Sequence, residues 1–210
     1  MATSQAYHRA VSVLGSVLSL RGFNGDALSD LGPFEIDTML NGQTLKFRLH
    51  NADASSRCFV HFDTEPRGLS ESQLEKILEQ SAEVWNPAAD TLIVVSVDKP
   101  QPKAIEYARQ TDPGFLQLFW LNELMSDKTK HVLVPPHKAL AGEELHAFTK
   151  RFDVTKLPKL LHQDDVAARW FGIRPGQVAK ITRSGKREYY RLCVRATPVP
   201  VAPTADTAFA

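Results

Sequence analysis

Cysteine is scarce: the chain of 210 residues has two. Cys58 and Cys193 offer no paired spacing of the kind a metal site uses. Both lie in apolar, strand-like runs, so they read as buried reduced thiols and argue for an intracellular protein. No stretch reaches the roughly 18 consecutive apolar residues of a membrane-spanning helix, and no membrane partner is expected. The opening residues, MATSQAYHRAV, lack the basic-then-apolar layout of a secretory leader. No glycine-rich phosphate loop opens a helix, since Gly172 and Gly176 follow a helical run instead. No serine stands in the elbow of a hydrolase nucleophile. His131 and His137 have no two further ligands to complete a zinc site. The residues therefore call for no metal and no cofactor.

Net charge is also low, at +1, yet that figure conceals an asymmetry. Residues 1–127 hold ten Lys and Arg against seventeen Asp and Glu, whereas residues 128–195 hold fifteen against six. Such a split argues for two units with different partners. A basic face can meet nucleic acid, an acidic protein surface or only water.

Along the chain, Val11, Leu14, Val17, Leu18 and Arg21 mark an amphipathic helix over residues 6–21, with Gly22 as its stop. Phe34 to Leu40, Thr44 to Leu49 and Cys58 to Phe62 read as short strands, with Asn41-Gly42 as a hairpin turn between the first two. Ser70 and Gln73 have capping-box spacing at the start of a second helix, which Asn86-Pro87 ends. Thr91 to Val97 is continuously apolar and β-branched, which predicts a central strand buried on both faces. Pro102 starts a short helix to Arg109, and Phe115 to Trp120 is a further strand. Residues 1–125 thus read as an α/β unit. The polar run 126–130 reads as a linker, and a helix follows over Gly142 to Phe152, with Glu143 and Glu144 in its first turn. Leu157-Pro158 breaks it. The final residues, 196–210, are rich in Pro, Ala and Thr and predict little intrinsic order.

The most informative stretch is Asp164 to Arg195, DDVAARWFGIRPGQVAKITRSGKREYYRLCVR. Val166, Ala167 and Trp170 share one side of a helix. Asp164 is the expected cap, with Asp165 adding charge at the helix start. Gly172 fits a helix end that needs positive φ, and Pro175-Gly176 fits a type II turn. Gln177 to Arg183 and Glu188 to Val194 then alternate as two strands around a Ser184-Gly185-Lys186 loop. This hairpin is basic, with Lys180, Arg183, Lys186, Arg187, Arg191 and Arg195.

Together with His131, Leu133, Val134, Pro135, His137 and Leu157-Pro158, this stretch resembles the C-terminal assembly domain of one subunit of multisubunit DNA-dependent RNA polymerases. That subunit is the fifth-largest of the eukaryotic nuclear enzymes, and the archaeal enzyme has a counterpart of the assembly domain alone. The matching positions continue with Asp164, Val166-Ala167, Gly172, Gly176, Val178, Lys180-Ile181, Arg183 and Tyr190-Arg191. Asp165 replaces the usual proline, and the final loop is shorter. Less closely, the first half resembles the jaw domain that precedes the assembly domain in eukaryotic members. Gln101-Pro102-Lys103-Ala104 is similar to a Thr-Pro-Ser-Ala segment there.

The resemblance implies an α+β fold in two parts: a jaw-like α/β domain over 1–125 and, after the linker, a small assembly domain with a β-hairpin over 131–195. It implies a non-catalytic polymerase subunit, present as one among different chains rather than as a homo-oligomer. The assembly domain would dock on the largest subunit through His131, Pro135, His137, Asp164, Gly172, Gly176, Lys180, Arg183, Tyr190 and Arg191. Gln101, Pro102 and Lys103 would lie near downstream duplex DNA and contact it without sequence preference. A cellular member would be nuclear. The departures from the pattern fit a copy carried by a large DNA virus, acting in virion and cytoplasm, or a diverged cellular lineage.

Two other readings compete with this one. A free-standing nucleic-acid-binding protein could be built on the basic second unit. A magnesium-dependent nuclease would place acids on neighbouring strands. Glu35 and Asp37 alternate on the expected first strand, followed later by Asp63 and Glu65, but TLKFRLH carries no acid.

Overall fold

The computed structural model describes residues 4–86, 89–110, 115–183 and 187–195. The expected Ser184-Gly185-Lys186 loop, Pro87 and the segment 196–210 lie outside them. Residues of the first half form helices α1 (Ser4–Leu20), α2 (Asp26–Ser29) and α3 (Pro33–Asn41), then strands β1 (Lys46–His50) and β2 (Arg57–Phe62). Next come α4 (Glu71–Ser81), β3 (Thr91–Ser96), α5 (Pro102–Gln110) and β4 (Phe115–Trp120). The sheet order is β1-β2-β3-β4, with β1 antiparallel to β2 and the other pairs parallel.

Every residue of β3 is buried, as its unbroken apolar run requires. Its alternate side chains serve two cores. Ile93 and Val95 pack with Val11, Leu14 and Leu18 of α1, while Leu92 and Val94 pack with Leu74 and Ile77 of α4 and Ala104 of α5. The sheet is therefore covered by helices on both faces, as parallel strands demand. The capping box at α4 forms as its spacing predicts: Ser70 N–H donates to Gln73 Oε1 at 2.9 Å, and the Ser70 hydroxyl accepts from Gln73 N–H.

One element differs outright. Phe34 to Leu40 is the helix α3, not a strand, and Asn41-Gly42 ends that helix instead of turning a hairpin. Pro33 stands at a first-turn position, and the Glu35 carboxylate reaches back to accept the Gly32 N–H at 2.7 Å. These two helix-starting devices override an alternation that only Ile36 would have satisfied, since Ile36 is the one buried residue in the element. Glu35 and Asp37 thus leave the sheet altogether, and the strand-borne acid pair of the nuclease reading does not exist.

The second half contains β5 (His137–Ala139), α6 (Gly142–Thr149), β6 (Lys159–Leu161), α7 (Val166–Trp170), β7 (Val178–Arg183) and β8 (Arg187–Val194). They make a second sheet in the order β5-β7-β8-β6. Strands β7 and β8 form the expected antiparallel hairpin; the three-residue strands β5 and β6 flank it and had no signal of their own. Ala179 and Cys193 face Leu160, Ala168 and Ile173, while Val178 on the other side meets Leu140 and Phe148. Helix α6 ends at Thr149, three residues short of the expected Phe152. The run 126–130 holds a short 3-10 turn, Lys128–Lys130, started by Asp127, whose carboxylate accepts the Thr129 N–H at 2.9 Å.

Two glycines near the hairpin have the positive φ their positions require: Gly172 at +66° and Gly176 at +86°. Gln177 N–H closes the turn onto the Arg174 carbonyl at 3.1 Å, while Gly176 N–H reaches the Cys193 carbonyl at 2.8 Å. A Cβ on Gly176 would meet nothing within 4 Å, whereas one on Gly172 would lie 3.0 Å from Arg21 Cδ and Nε. Gly176→Ala should cost about 1–2 kcal/mol of backbone strain alone. Gly172→Ala should cost measurably more, because it also displaces Arg21. Urea unfolding of both variants tests this, and equal losses would show that Arg21 yields its place freely.

Candidate functional site

Strand β4 is an edge of the first sheet, and the second half of the chain is fastened to it. The fastening centres on Arg169 of α7. Its guanidinium donates to both Glu123 carboxylate oxygens, at 3.0 and 2.7 Å, and to the Leu118 carbonyl at 2.9 Å. Both side chains of the pair are only 5% exposed. Trp170 Nε1 donates to the same carboxylate at 3.3 Å, and the rings of Phe119 and Trp120 lie 5.1 and 5.7 Å from the Arg169 Cζ atom. Arg21, from the end of α1, reaches across to the carbonyls of Trp170 (3.0 Å) and Arg169 and to Gln117 Oε1 (2.8 Å). Gln163 Nε2 donates to the Leu116 carbonyl at 2.7 Å, and Arg174 donates to the Ala89 carbonyl at 2.9 Å. His162 is buried with its ring stacked 4.9 Å from that of Phe115, and burial pushes its pKa down to about 4.

Of the positions expected to bind a partner, several also take part in this joint or in the packing of the hairpin. Asp164 does not cap α7. Asp165 does, accepting the N–H groups of Ala167 at 2.8 Å and Ala168 at 3.2 Å, and Asp164 forms an ion pair with Arg109 of α5. The carboxylate one residue closer to the helix has the reach a cap needs, which frees Asp164 to bind across the joint. Gly172 packs under Arg21. Gly176 holds the turn into β7. Lys180 is not an open cation: its ammonium sits 3.0 Å from Glu144 and 2.8 Å from Glu188, and these carboxylates raise its pKa. Tyr190 donates its hydroxyl to Glu188 at 2.7 Å, and its ring centroid lies 4.5 Å from that of Phe148. Arg183 is exposed over the Tyr189 ring, and Arg191 is half-buried on β8.

The segment His131 to His137 is the open part. Val134 N–H closes a turn onto the His131 carbonyl at 2.9 Å, and Leu133 N–H donates to His131 Nδ1 at 3.2 Å. That turn holds Val132 at 96% exposure and Leu133 at 82%. His137 Nδ1 lies 2.7 Å from the Pro135 carbonyl and so carries the proton, and its ring faces Phe171 at 5.0 Å. Burial lowers the His137 pKa. Beside the turn runs a groove of about 230 Å³, lined by Leu133, Val134, Pro135, Val166, Trp170 and Phe171 among others.

In the first half, Gln101, Pro102 and Lys103 are exposed at the start of α5. Gln101 N–H is tied to the Leu69 carbonyl at 2.9 Å, which sets the N-terminus of α5 beside that of α4. Among the described residues no three His, Cys, Asp or Glu side chains are grouped to hold a metal ion.

Residues 126–193 match the family described as RNA polymerase Rpb5, C-terminal domain. The DNA-directed RNA polymerases I, II, and III subunit RPABC1 of Caenorhabditis elegans is 32% identical over 152 residues, spanning 69% of this chain and 70% of the worm protein. The chain belongs to the Rpb5 family of RNA polymerase subunits. An alignment of that length runs beyond the C-terminal domain, so the family likeness includes part of the first half. The corresponding protein of Dictyostelium discoideum is 28% identical over 148 residues, which is 68% of this chain and 74% of that protein. The DNA-directed RNA polymerases IV and V subunit 5B of Arabidopsis thaliana is 35% identical over 69 residues, about a third of each chain.

Sequence reasoning missed Arg21, Gln117, Glu123, Arg169 and Arg174. Each looks like an ordinary polar residue in its local run, and only burial reveals its part. Removing one member of a buried pair strands the other charge, so Glu123→Gln should lower unfolding free energy by about 3–5 kcal/mol. The double replacement Glu123→Leu with Arg169→Met should lose less than the single one. Urea titration of the three chains decides it; a single-variant loss near about 0.5 kcal/mol, typical of surface changes, would mean that the pair carries little.

Proposed function

We propose that the chain is a non-catalytic subunit of a multisubunit DNA-dependent RNA polymerase that docks on the largest subunit through the turn at Val132-Leu133 and the adjoining apolar groove. The observation that carries this is the pair of almost fully exposed aliphatic side chains beside a groove of similar character. Contiguous exposed apolar surface of this kind marks a protein interface. His131, Pro135 and His137 shape the turn from within, so their matching positions serve its geometry. Arg183 and Arg191, on the exposed hairpin, supply charge at the rim. The names of the relatives describe subunits shared among several polymerases, which suits a structural part that reads no sequence.

The start of α5 is the surface proposed to face downstream duplex DNA. Pro102 has no N–H to offer, so the open backbone donors there are those of the next residues, with the exposed Lys103 side chain alongside. A helix N-terminus and one cation suit a single phosphate. The acidity of residues 1–127 opposes tight binding by the isolated chain.

For docking, the double variant Val132→Asp, Leu133→Asp should fold normally, because both positions are exposed, yet fail to co-purify with the largest subunit. Recovery at the wild-type ratio would place the docking surface elsewhere. For DNA, polymerase carrying Lys103→Glu should assemble but hold downstream duplex less firmly. Its salt-dependence slope should fall by about 0.9, one phosphate contact. Superimposable salt curves for the two elongation complexes would remove Lys103 from the contacting set.

A further inference from the structure

A cleft of about 550 Å³ opens between the two sheets, walled by residues from both halves. Four basic residues line it, Arg21, His137, Lys138 and Arg174, and its lining includes no acid. The arginines around it fall into two groups. Arg169, Arg109 and Arg57 each meet a carboxylate, of Glu123, Asp164 and Asp90 respectively. Arg21 and Arg174 meet none among the described residues. Their partners are carbonyls, the Gln117 amide oxygen and the Thr91 hydroxyl. Such oxygens satisfy N–H groups but bring no net negative charge.

Arg21 and Arg174 are half-buried, and charges withdrawn from water are generally paired. Asp90, whose charge acts on Arg174, and Glu144, beside Lys138, are already committed. Asp90 is held by Arg57 and by the Asn86 N–H, and Glu144 by Lys138 and Lys180. Burial lowers the pKa of Arg21 to about 10 and that of Arg174 also. A guanidinium has five N–H groups, more than these bonds consume. The cleft lies within the roughly 300–1,000 Å³ of small-molecule sites, which favour junctions of this kind. Phe23 and Phe171 add apolar surface to the lining.

We propose that this cleft binds a small phosphate-bearing anion, which supplies the counter-charge that Arg21 and Arg174 lack. An inorganic polyphosphate and the phosphate chain of a nucleotide share that chemistry. Binding would bridge the two sheets, so it should stabilise the joint as well as fill the cleft.

The test is calorimetric titration and thermal unfolding of the full chain at fixed ionic strength, with inorganic pyrophosphate, a nucleoside triphosphate and the unphosphorylated nucleoside. Pyrophosphate and triphosphate should bind one to one and raise Tm, and the nucleoside should do neither. With inorganic tripolyphosphate as the phosphate-matched probe, affinity equal to that of the nucleoside triphosphate would mean that phosphate alone is recognised, and tighter nucleoside triphosphate binding that the nucleoside is held as well. Arg174→Gln should weaken binding about tenfold or more. Because that change also loosens the joint, Lys138→Glu is the second variant. Its side chain is 75% exposed, so the ligand-free Tm should hold while affinity falls. No saturable binding at millimolar probe, binding that both variants leave intact, or nucleoside binding as tight as triphosphate would each overturn the assignment.

Discussion

A carboxylate and a guanidinium sealed from water, Glu123 and Arg169, set the constraint on which the relation between the two sheets depends. Taking both ions out of solvent is costly, and their attraction offsets that cost only with good geometry and every remaining polar atom engaged. Two oxygens on two nitrogens, a carbonyl, an indole N–H and two aromatic rings meet most of that condition. Arg169 Nε is the exception, buried without a hydrogen-bond partner. Such a pair contributes less to net stability than to uniqueness: few other placements of α7 on β4 would satisfy both charges. Helix α7 has five residues and would not persist alone. Asp165 holds its start, and Arg21 covers its last carbonyls from the far side of the joint.

The same contacts solve an edge problem. Strand β4 ends the first sheet, and its outward carbonyls would otherwise invite another strand. Gln163 takes the Leu116 carbonyl and Arg169 the Leu118 carbonyl. Side chains from the second half thereby replace a fifth strand, and the sheets stay separate while their cores merge at Trp170, which packs edge-on to Phe119 at 6.1 Å.

Elements announced by local chemistry were legible in the sequence. The Ser70–Gln73 box, the apolar run of β3, the alternation of β7 and β8, and the glycines at 172 and 176 each need a specific residue for a local reason. What failed had causes both near and far. Phe34 to Leu40 alternates like a strand, but Pro33 and the Glu35 carboxylate folding back on Gly32 start a helix there. Adjacent aspartates at 164 and 165 look alike in the sequence, but the one next to the helix start caps it and the other pairs with Arg109 across the joint. Strands β5 and β6 exist because the hairpin offers two edges, not because three residues prefer extension. The assembly-domain motif was readable as a pattern, yet several of its positions prove to hold the joint and the hairpin turn, a role that spacing alone does not distinguish from partner contact.

Charge shows the same gap between count and arrangement. The second half is strongly basic by composition, which would suit a nucleic-acid surface. In the fold, Lys180 is clamped by Glu144 and Glu188, Lys138 shares Glu144, Lys156 meets Asp153, and Arg169 is buried with Glu123. Arg174 lines the cleft. Several of the second half's cations are thus tied to groups of the same chain, and among the described residues Val132 is the most exposed large apolar side chain. A free-standing nucleic-acid binder would reverse that allocation, keeping its cations open for phosphates and its aliphatic side chains covered. The arrangement of charge and apolar surface favours a chain whose second half meets protein over one built as a free-standing nucleic-acid binder.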